Sequence, residues 1–112
     1  MKITVRQLEI FIAIDQTGKT TLAANIIGVS QAAVSITVSE LELQLQRRLF
    51  SRERNRMELN DFGRSILPEA MRAIHHVRVI ESLAKEALVS MASDSLHSGG
   101  EESALVDFRI NG

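Results

Sequence analysis

Residues 20–49 read TTLAANIIGVSQAAVSITVSELELQLQRRL, and two helical patterns separated by a glycine are visible in this segment. Four residues of the first pattern share an inner face: Leu22, Ala23, Ile26 and Ile27. Ser30, two residues after Gly28, is a residue type favoured at helix N-termini. The apolar residues after it step by four, three, four and four, as in one buried helical stripe: Val34, Val38, Leu41, Leu45 and Leu49. The spacing predicts helices over 20–27 and 31–49, joined by a turn typical of helix-turn-helix motifs.

The flanking segments complete a small head. Residues 4–16 show one apolar stripe at helical spacing, and Thr4 with Gln7 three residues later matches a capping box. Residues 50–60 lose the helical pattern and favour two very short strands with Glu53–Asn55 at the tip. The expected fold class is therefore mainly α, a winged helix-turn-helix of three helices and a short β-wing, followed by a long helix.

A heptad pattern runs through residues 61–92, which we predict to be a fourth helix capped by Asn60. Its seam positions alternate in steps of four and three: Ile66, Ala70, Ala73, Val77, Ile80, Ala84, Ala87 and Met91. At ~1.5 Å per residue this helix is on the order of 45 Å long, more than a small head can cover. Its length favours a dimerisation arm, and the alternative is a helix packed along its own head.

The patterns divide the chain into three parts. Residues 1–60 form the head, 61–92 form the linker and dimerisation helix, and 93–112 form a tail that is rich in Ser and Gly at its start. We expect this tail to be flexible. Its last residues have the composition of a strand that would open a further domain.

Composition excludes several classes of protein. The chain has no cysteine, its three histidines (His75, His76 and His97) lack metal-ligand spacing, and no apolar run is long enough to span a membrane. We find no nucleophile motif, no paired acid and base, and no glycine-rich phosphate loop. We therefore expect a cytoplasmic protein that is not an enzyme, holds no metal and does not enter membranes.

Charge is unevenly distributed along the chain. The formal net charge is −1, which by itself argues against nucleic acid as a partner. Residues 1–60, however, carry eight basic and six acidic side chains, and five of the basic ones lie between 47 and 56. This distribution indicates a mildly basic head followed by an acidic arm.

Two sets of side chains are candidates for binding double-stranded DNA. The non-core face of helix 31–49 carries residues that can contact bases or phosphates: Gln31, Ala32, Ser35, Ile36 and Ser39. Basic residues follow, and we expect them to clamp phosphates and to place a wing tip in the minor groove: Arg47, Arg48, Arg52, Arg54 and Arg56. The alternatives are a helical bundle with a solvated polar face and an ordinary charged loop.

The ordered spacing of many residues resembles one bacterial family. The residues that carry the resemblance are Leu8, Phe11, Gly18, Thr21, Ala23, Ala24, Val29, Ser30, Gln31, Val34, Ser35, Val38, Leu41, Glu42, Leu45, Leu49, Phe50, Arg52, Arg56, Leu59 and Gly63. Over residues 3–90 the chain resembles the N-terminal winged helix-turn-helix domain and linker helix of LysR-type transcriptional regulators. The resemblance implies a regulator that binds palindromic promoter DNA as a homodimer, with helix 31–49 in the major groove.

The resemblance also carries expectations about partners and residues. It implies that a small-molecule effector is sensed only by a further C-terminal domain and that this segment holds no cofactor. The resemblance does not decide whether RNA polymerase is a partner or whether dimers assemble further. Gln31 matches a base-contacting glutamine, and Ser35 matches a residue near phosphate. Arg52 and Arg56 match arginines of the wing or its base.

Four positions depart from the family pattern, and one of them is benign, because Asn60 replaces a capping threonine. Ala32 stands where proline is usual, Ile36 replaces an arginine that usually touches the DNA backbone, and Gln46 stands where glycine usually ends the recognition helix. The last change predicts a longer helix. Ile36 and the acidic balance also leave a second hypothesis open: a head that has lost DNA binding, in a module that pairs with full-length relatives.

Overall fold

The computed structural model describes residues 1–98 and confirms a mainly α winged helix-turn-helix with a long final helix. The elements are α1 (Val5–Thr17), α2 (Thr20–Ile27), α3 (Gln31–Leu45), β1 (Phe50–Glu53), β2 (Arg56–Leu59) and α4 (Asp61–Ser98). The chain divides into two compact units, residues 1–75 and the part from His76 onward, and the first unit holds the core of the head. The strand predicted at the end of the chain lies outside the described residues.

The turn between α2 and α3 sets the angle of the motif. Gly28 ends α2 with a φ of 84°, in the left-handed region, and its amide donates to the Ala24 carbonyl at 2.8 Å. Ser30 then caps α3, because its Oγ accepts a hydrogen bond from the Ala33 amide at 3.1 Å. The two helices meet at a bend of 103°, within the range of helix-turn-helix motifs.

The inner faces of α1, α2 and α3 form the core. The predicted capping box at the start of α1 is confirmed, because Thr4 and Gln7 each bond the other's backbone amide through their side chains. The largest fully buried side chains are Phe11, Ile10, Ile14, Leu41, Leu49, Val34 and Val38. The prediction for α2 was partly wrong: Ala23 is buried, but Leu22 and Ile26 are 45% and 61% exposed. The short α2 packs through the small residues Ala23 and Ala24 and through the half-buried Ile27, which leaves Leu22 and Ile26 outside.

α3 ends at Leu45, so the predicted extension to Leu49 was wrong. Gln46 takes a left-handed conformation with a φ of 56°, and its amide donates to the carbonyls of Glu42 and Leu43. It therefore ends the helix where the resemblance has glycine. Leu49 is nevertheless fully buried, and its amide donates to Glu42 Oε2 at 2.7 Å. The apolar stripe predicted the burial of Leu49 but not its secondary structure.

The predicted wing is an antiparallel hairpin. Its paired residues, from base to tip, are Phe50 and Leu59, Ser51 and Glu58, Arg52 and Met57, and Glu53 and Arg56. The turn consists of Arg54 and Asn55, with φ values of 54° and 62°, as in tight hairpin turns that match strand twist. The Met57 amide donates to the Gly18 carbonyl at 2.8 Å, which attaches the wing to the end of α1.

The first turn of α4 is held against the segment that precedes the wing. Asn60 Oδ1 accepts from the Gly63 amide at 2.7 Å, which confirms the predicted cap. The Asn60 amide also donates to the Leu49 carbonyl at 3.0 Å, and its Nδ2 donates to the Arg48 carbonyl at 2.7 Å. A Cβ at Gly63 would collide with the Leu49 carbonyl oxygen. This close approach of two backbones requires glycine.

The predicted seam of α4 falls in two environments. In the first unit, Ala70 is buried and Ile66 packs against the head core. This part of the helix therefore packs along its own head, which was the alternative to a dimerisation arm. In the second unit, the seam residue Ile80 is exposed, and so are four large apolar side chains that lie outside the predicted seam: Val79, Leu83, Leu88 and Val89. The helix also continues to Ser98, so residues 93–98 are helical and the tail predicted to begin at 93 was placed too early.

Two further features concern residues 1–98 as a whole. No single helix there has both the length and the apolar composition to cross a bilayer. Only α2 and α3 taken together are long and apolar enough, and they are bent by 103° relative to each other. Within the same residues, no group of three or more His, Cys, Asp or Glu side chains is arranged to hold a metal ion.

We expect Gly63→Ala to destabilise the head by about 1–3 kcal/mol, because the added methyl group must displace the Leu49 carbonyl. Helix propensity alone predicts the opposite sign, a gain of up to about 1 kcal/mol. Urea denaturation followed by circular dichroism measures the change. Gly28→Ala is the control. A Cβ at Gly28 meets no atom within 4 Å, so this variant tests backbone strain alone. An unfolding midpoint raised by Gly63→Ala would contradict the close approach.

Candidate nucleic-acid interface

The outer face of α3 is the centre of the candidate interface. Val34, Val38 and Leu41 bury the opposite face in the head core. At about 100° per residue, four side chains project within roughly 60° of one another away from that core: Ala32, Ile36, Ser39 and Leu43. All four are exposed. The helix therefore presents a continuous surface that no part of the head covers.

A groove of about 640 Å³ lies on one flank of α3. Three parts of the head line it: Lys19, Thr20 and Thr21 at the start of α2, Gln31 and Ser35 on α3, and Arg52, Arg54 and Arg56 on the wing. Four of these side chains are cationic, and none of the described residues lining the groove is acidic. The groove is therefore suited to an anion that also presents hydrogen-bonding groups to α3.

Gln31 is held at the edge of this groove by a neighbouring helix. Its Nε2 donates to Thr20 Oγ1 at 3.2 Å. A glutamine amide has two N–H donors and one carbonyl oxygen. After this bond, one N–H and the oxygen of Gln31 remain available to contact a base. That donor and acceptor pair is the one that recognises adenine N7 and N6 in the major groove.

A second groove, of about 600 Å³, lies on α3 further along the helix. Its lining combines α3 and the segment leading to the wing: Ser39, Glu42, Leu43, Gln46, Arg47, Arg48 and Arg52. Arg52 lines both grooves. The arginines therefore line α3 at two positions along its length.

Two of the candidate arginines also have partners within the head. The Arg47 guanidinium lies 4.3 Å from the centre of the Phe62 ring, a cation–π contact. Arg56 Nε lies 3.9 Å from Glu58 Oε1, and both side chains are more than half exposed. An ion pair this exposed contributes little to stability, so the Arg56 guanidinium remains available to an external anion.

Nine of the ten predicted DNA-binding residues are exposed and Ser35 is half-buried, and the structure separates them into groups. Gln31, Ser35, Arg52, Arg54 and Arg56 share the first groove. The second groove brings together Ser39, Arg47 and Arg48. Ala32 lines neither groove, and Ile36 lies in a smaller depression beside Ser35 and Ser39.

Sequence reasoning missed the start of α2. Lys19, Thr20 and Thr21 line the first groove, although they lie before the recognition helix in the chain. The signal was available, because a helix N-terminus carries unpaired amides and partial positive charge, and here a lysine precedes it. Its position beside the wing could be known only from the fold.

Comparison with known proteins gives the chain a family. A family model described as "Bacterial regulatory helix-turn-helix protein, lysR family" matches residues 5–64. The chain is 40% identical over 86 residues to the uncharacterized HTH-type transcriptional regulator YeiE of Escherichia coli K12, covering 77% of this chain and 29% of that protein. It is 33% identical over 97 residues to the uncharacterized HTH-type transcriptional regulator YvbU of Bacillus subtilis, covering 86% and 31%. The chain spans less than a third of the length of these relatives.

Solved structures share its architecture. The crystal structure of the CbnR DNA-binding domain in complex with DNA aligns with a TM-score of 0.71 at 28% identity, covering 77% of this chain and 99% of that chain. The oxidized form of OxyR from Corynebacterium glutamicum aligns with a TM-score of 0.72 at 25% identity, covering 75% and 27%. The matched head and its likeness to these structures establish that the chain belongs to the LysR family of bacterial regulatory helix-turn-helix proteins and carries the family's winged helix-turn-helix DNA-binding domain.

Proposed function

We propose that this chain is the sequence-specific DNA-binding part of a transcriptional regulator and that it binds a palindromic promoter site as a dimer. α3 enters the major groove, and the wing reaches the minor groove. One observation carries this proposal: Gln31 and Ser35 of α3 share a cationic groove with Arg52, Arg54 and Arg56. Groups that can recognise bases and groups that bind phosphate therefore lie side by side.

The dimensions and chemistry of the interface suit duplex DNA. The major groove is about 12 Å wide and admits one helix, whose N-terminal residues contact base edges. Gln31 is the first residue of α3 and Ser35 lies about one turn later, so both are at the end of the helix that reaches the bases. The arginines and the start of α2 then contact phosphates, which fix the position of α3 without reading the sequence.

Dimerisation is supported by the apolar surface of α4 in the second unit. Ile80 and Leu83 are 66% and 59% exposed, and a second copy would remove them from water. Ile66 and Ala70 already pack against the head. We therefore place the interface on Leu83 and on the later seam positions, which are Val77, Ile80, Ala84, Ala87 and Met91. A two-fold dimer would present two recognition helices to a palindromic site.

The proposed function predicts strongly salt-dependent binding to a selected site. A palindrome selected from random DNA by this protein should bind more tightly than a scrambled duplex in a fluorescence anisotropy titration. The affinity should fall steeply as salt rises, because phosphate binding releases counterions. We expect Arg52→Ala to reduce the slope of log K against log salt by about one for each phosphate that Arg52 neutralises in the complex.

Arg72→Ala is the matched control for Arg52→Ala. It removes the same charge from an exposed residue that lines neither groove and pairs with Glu69 at 2.6 Å. We expect its salt slope to equal that of the parent. Equal affinity for the selected and scrambled duplexes, or equal slopes for both variants, would contradict the proposed interface.

Gln31→Ala should relax the base preference at one position of each half-site, at a cost of about 1–3 kcal/mol for the preferred base. The physical reason is the removal of a paired donor and acceptor from a base edge. Selection from random DNA followed by sequencing gives the preference at each position. Gln16→Ala is the control, because Gln16 is an exposed glutamine at the end of α1, outside both grooves. An unchanged preference in Gln31→Ala would remove Gln31 from base recognition.

Ile80→Asp should convert the dimer into a monomer in sedimentation velocity, because it buries a charge in an apolar interface. Its affinity for the palindrome should fall, while its affinity for a single half-site remains that of one head. Ser82→Asp adds the same charge to an exposed residue about 200° around the helix, and we expect it to remain dimeric. A dimeric Ile80→Asp would place the interface elsewhere.

A further inference from the structure

Ile36 is an exposed apolar residue on the outer face of α3. It is 58% exposed, although isoleucine is usually buried in folded proteins. It lies in a depression of about 330 Å³ that Ser35, Ser39, Glu40 and Leu43 also line. The head does not need Ile36 for its core, because α3 buries a different set of residues.

The position of Ile36 limits what can cover it. It lies in the second turn of α3, within about 40° of Ala32 on the face that points away from the core. The groove holding Gln31 and three wing arginines lies on one flank, and Arg47 and Arg48 line the groove further along. If those cations bind the phosphates that border a major groove, Ile36 faces the groove floor, where the base edges lie.

The family pattern has an arginine that touches the DNA backbone at this position, but the chemistry of this depression disfavours a phosphate as the occupant. Ile36 has no hydrogen-bond donor, and the Glu40 carboxylate would repel a phosphate oxygen. An isoleucine placed against a polar base edge would leave that edge without a hydrogen-bond partner. The one methyl group that an unmodified base pair presents in the major groove is the C5 methyl group of thymine, which offers an apolar side chain more contact than the C5–H of cytosine.

We propose that Ile36 is a specificity-determining residue that contacts the C5 methyl group of a thymine in each half-site. This inference rests on the proposed function, because it requires α3 to lie in the major groove. It adds an apolar contact to the polar readout by Gln31. A site that pairs both kinds of contact discriminates thymine at one position and adenine at another.

Replacement of thymine by deoxyuridine tests the contact, because it removes the methyl group and keeps the base pair. The probe is the palindromic duplex selected from random DNA by this protein, with one thymine at a time replaced in each half-site. We expect one such replacement to weaken binding by the parent by about three- to five-fold for each half-site. The measurement is the ratio of the dissociation constants for the deoxyuridine and thymine duplexes, at one salt concentration.

Two variants assign the effect to Ile36. In Ile36→Ala we expect the ratio of the deoxyuridine and thymine dissociation constants to fall to about one at the sensitive thymine. The reason is that the shortened side chain no longer reaches the methyl group. Ile26→Ala is the matched control: Ile26 is 61% exposed on α2 and lines none of the three surface depressions described on α3. We expect this control to keep the ratio of the parent.

The outcomes separate this inference from the proposed function. A parent that selects a specific palindrome but binds every deoxyuridine duplex as tightly as the thymine duplex overturns the role of Ile36 and leaves the proposed function standing. A selected half-site without thymine, or an Ile36→Ala variant that keeps the ratio of the parent, has the same consequence. A parent that selects no site overturns both.

Discussion

The backbone of Leu49 joins the elements that form the candidate nucleic-acid interface. Its amide donates to Glu42 Oε2 on α3, and its carbonyl accepts from the Asn60 amide just before α4. The same carbonyl lies against Gly63, where no side chain fits. Leu49 is fully buried, so a broken hydrogen bond here would leave a buried polar group unpaired, at greater cost than at the surface. The direction in which the wing leaves α3 depends on this cluster.

The wing has a second attachment, and together the two determine where its arginines lie. The hydrogen bond from the Met57 amide to the Gly18 carbonyl holds β2 beside the end of α1, and the Phe50 ring packs 5.5 Å from that of Phe11. A two-residue turn then keeps the hairpin short. As a result, the hairpin holds Arg52 and Arg54 beside α3, where they line one groove with Gln31 and Ser35. A chain with a net charge of −1 thus concentrates its cations on the surface where a polyanion would bind.

Local patterns predicted the parts of the fold that local interactions stabilise. The capping box of Thr4 and Gln7, the Ser30 cap and the Asn60 cap each join residues three apart, so the residue types alone identify them. The end of α3 was not predictable in this way. Gln46 adopts a left-handed conformation that glutamine rarely takes, because the buried Leu49 and its bond to Glu42 turn the chain inward.

In the candidate site, too, some features follow from the local sequence and others only from the tertiary structure. The sequence identified the cations and polar groups: Gln31, Ser35 and the arginines of 47–56 were all predicted, because their chemistry and order along the chain are local properties. The tertiary structure decided which of them share a groove, and it added Lys19, Thr20 and Thr21 at the start of α2. It also placed Ala70 inside the core, although Ala70 had been assigned to the dimerisation seam. Helical periodicity shows which residues share a face, whereas burial depends on which other elements pack there, and that follows from contacts between residues far apart in the chain.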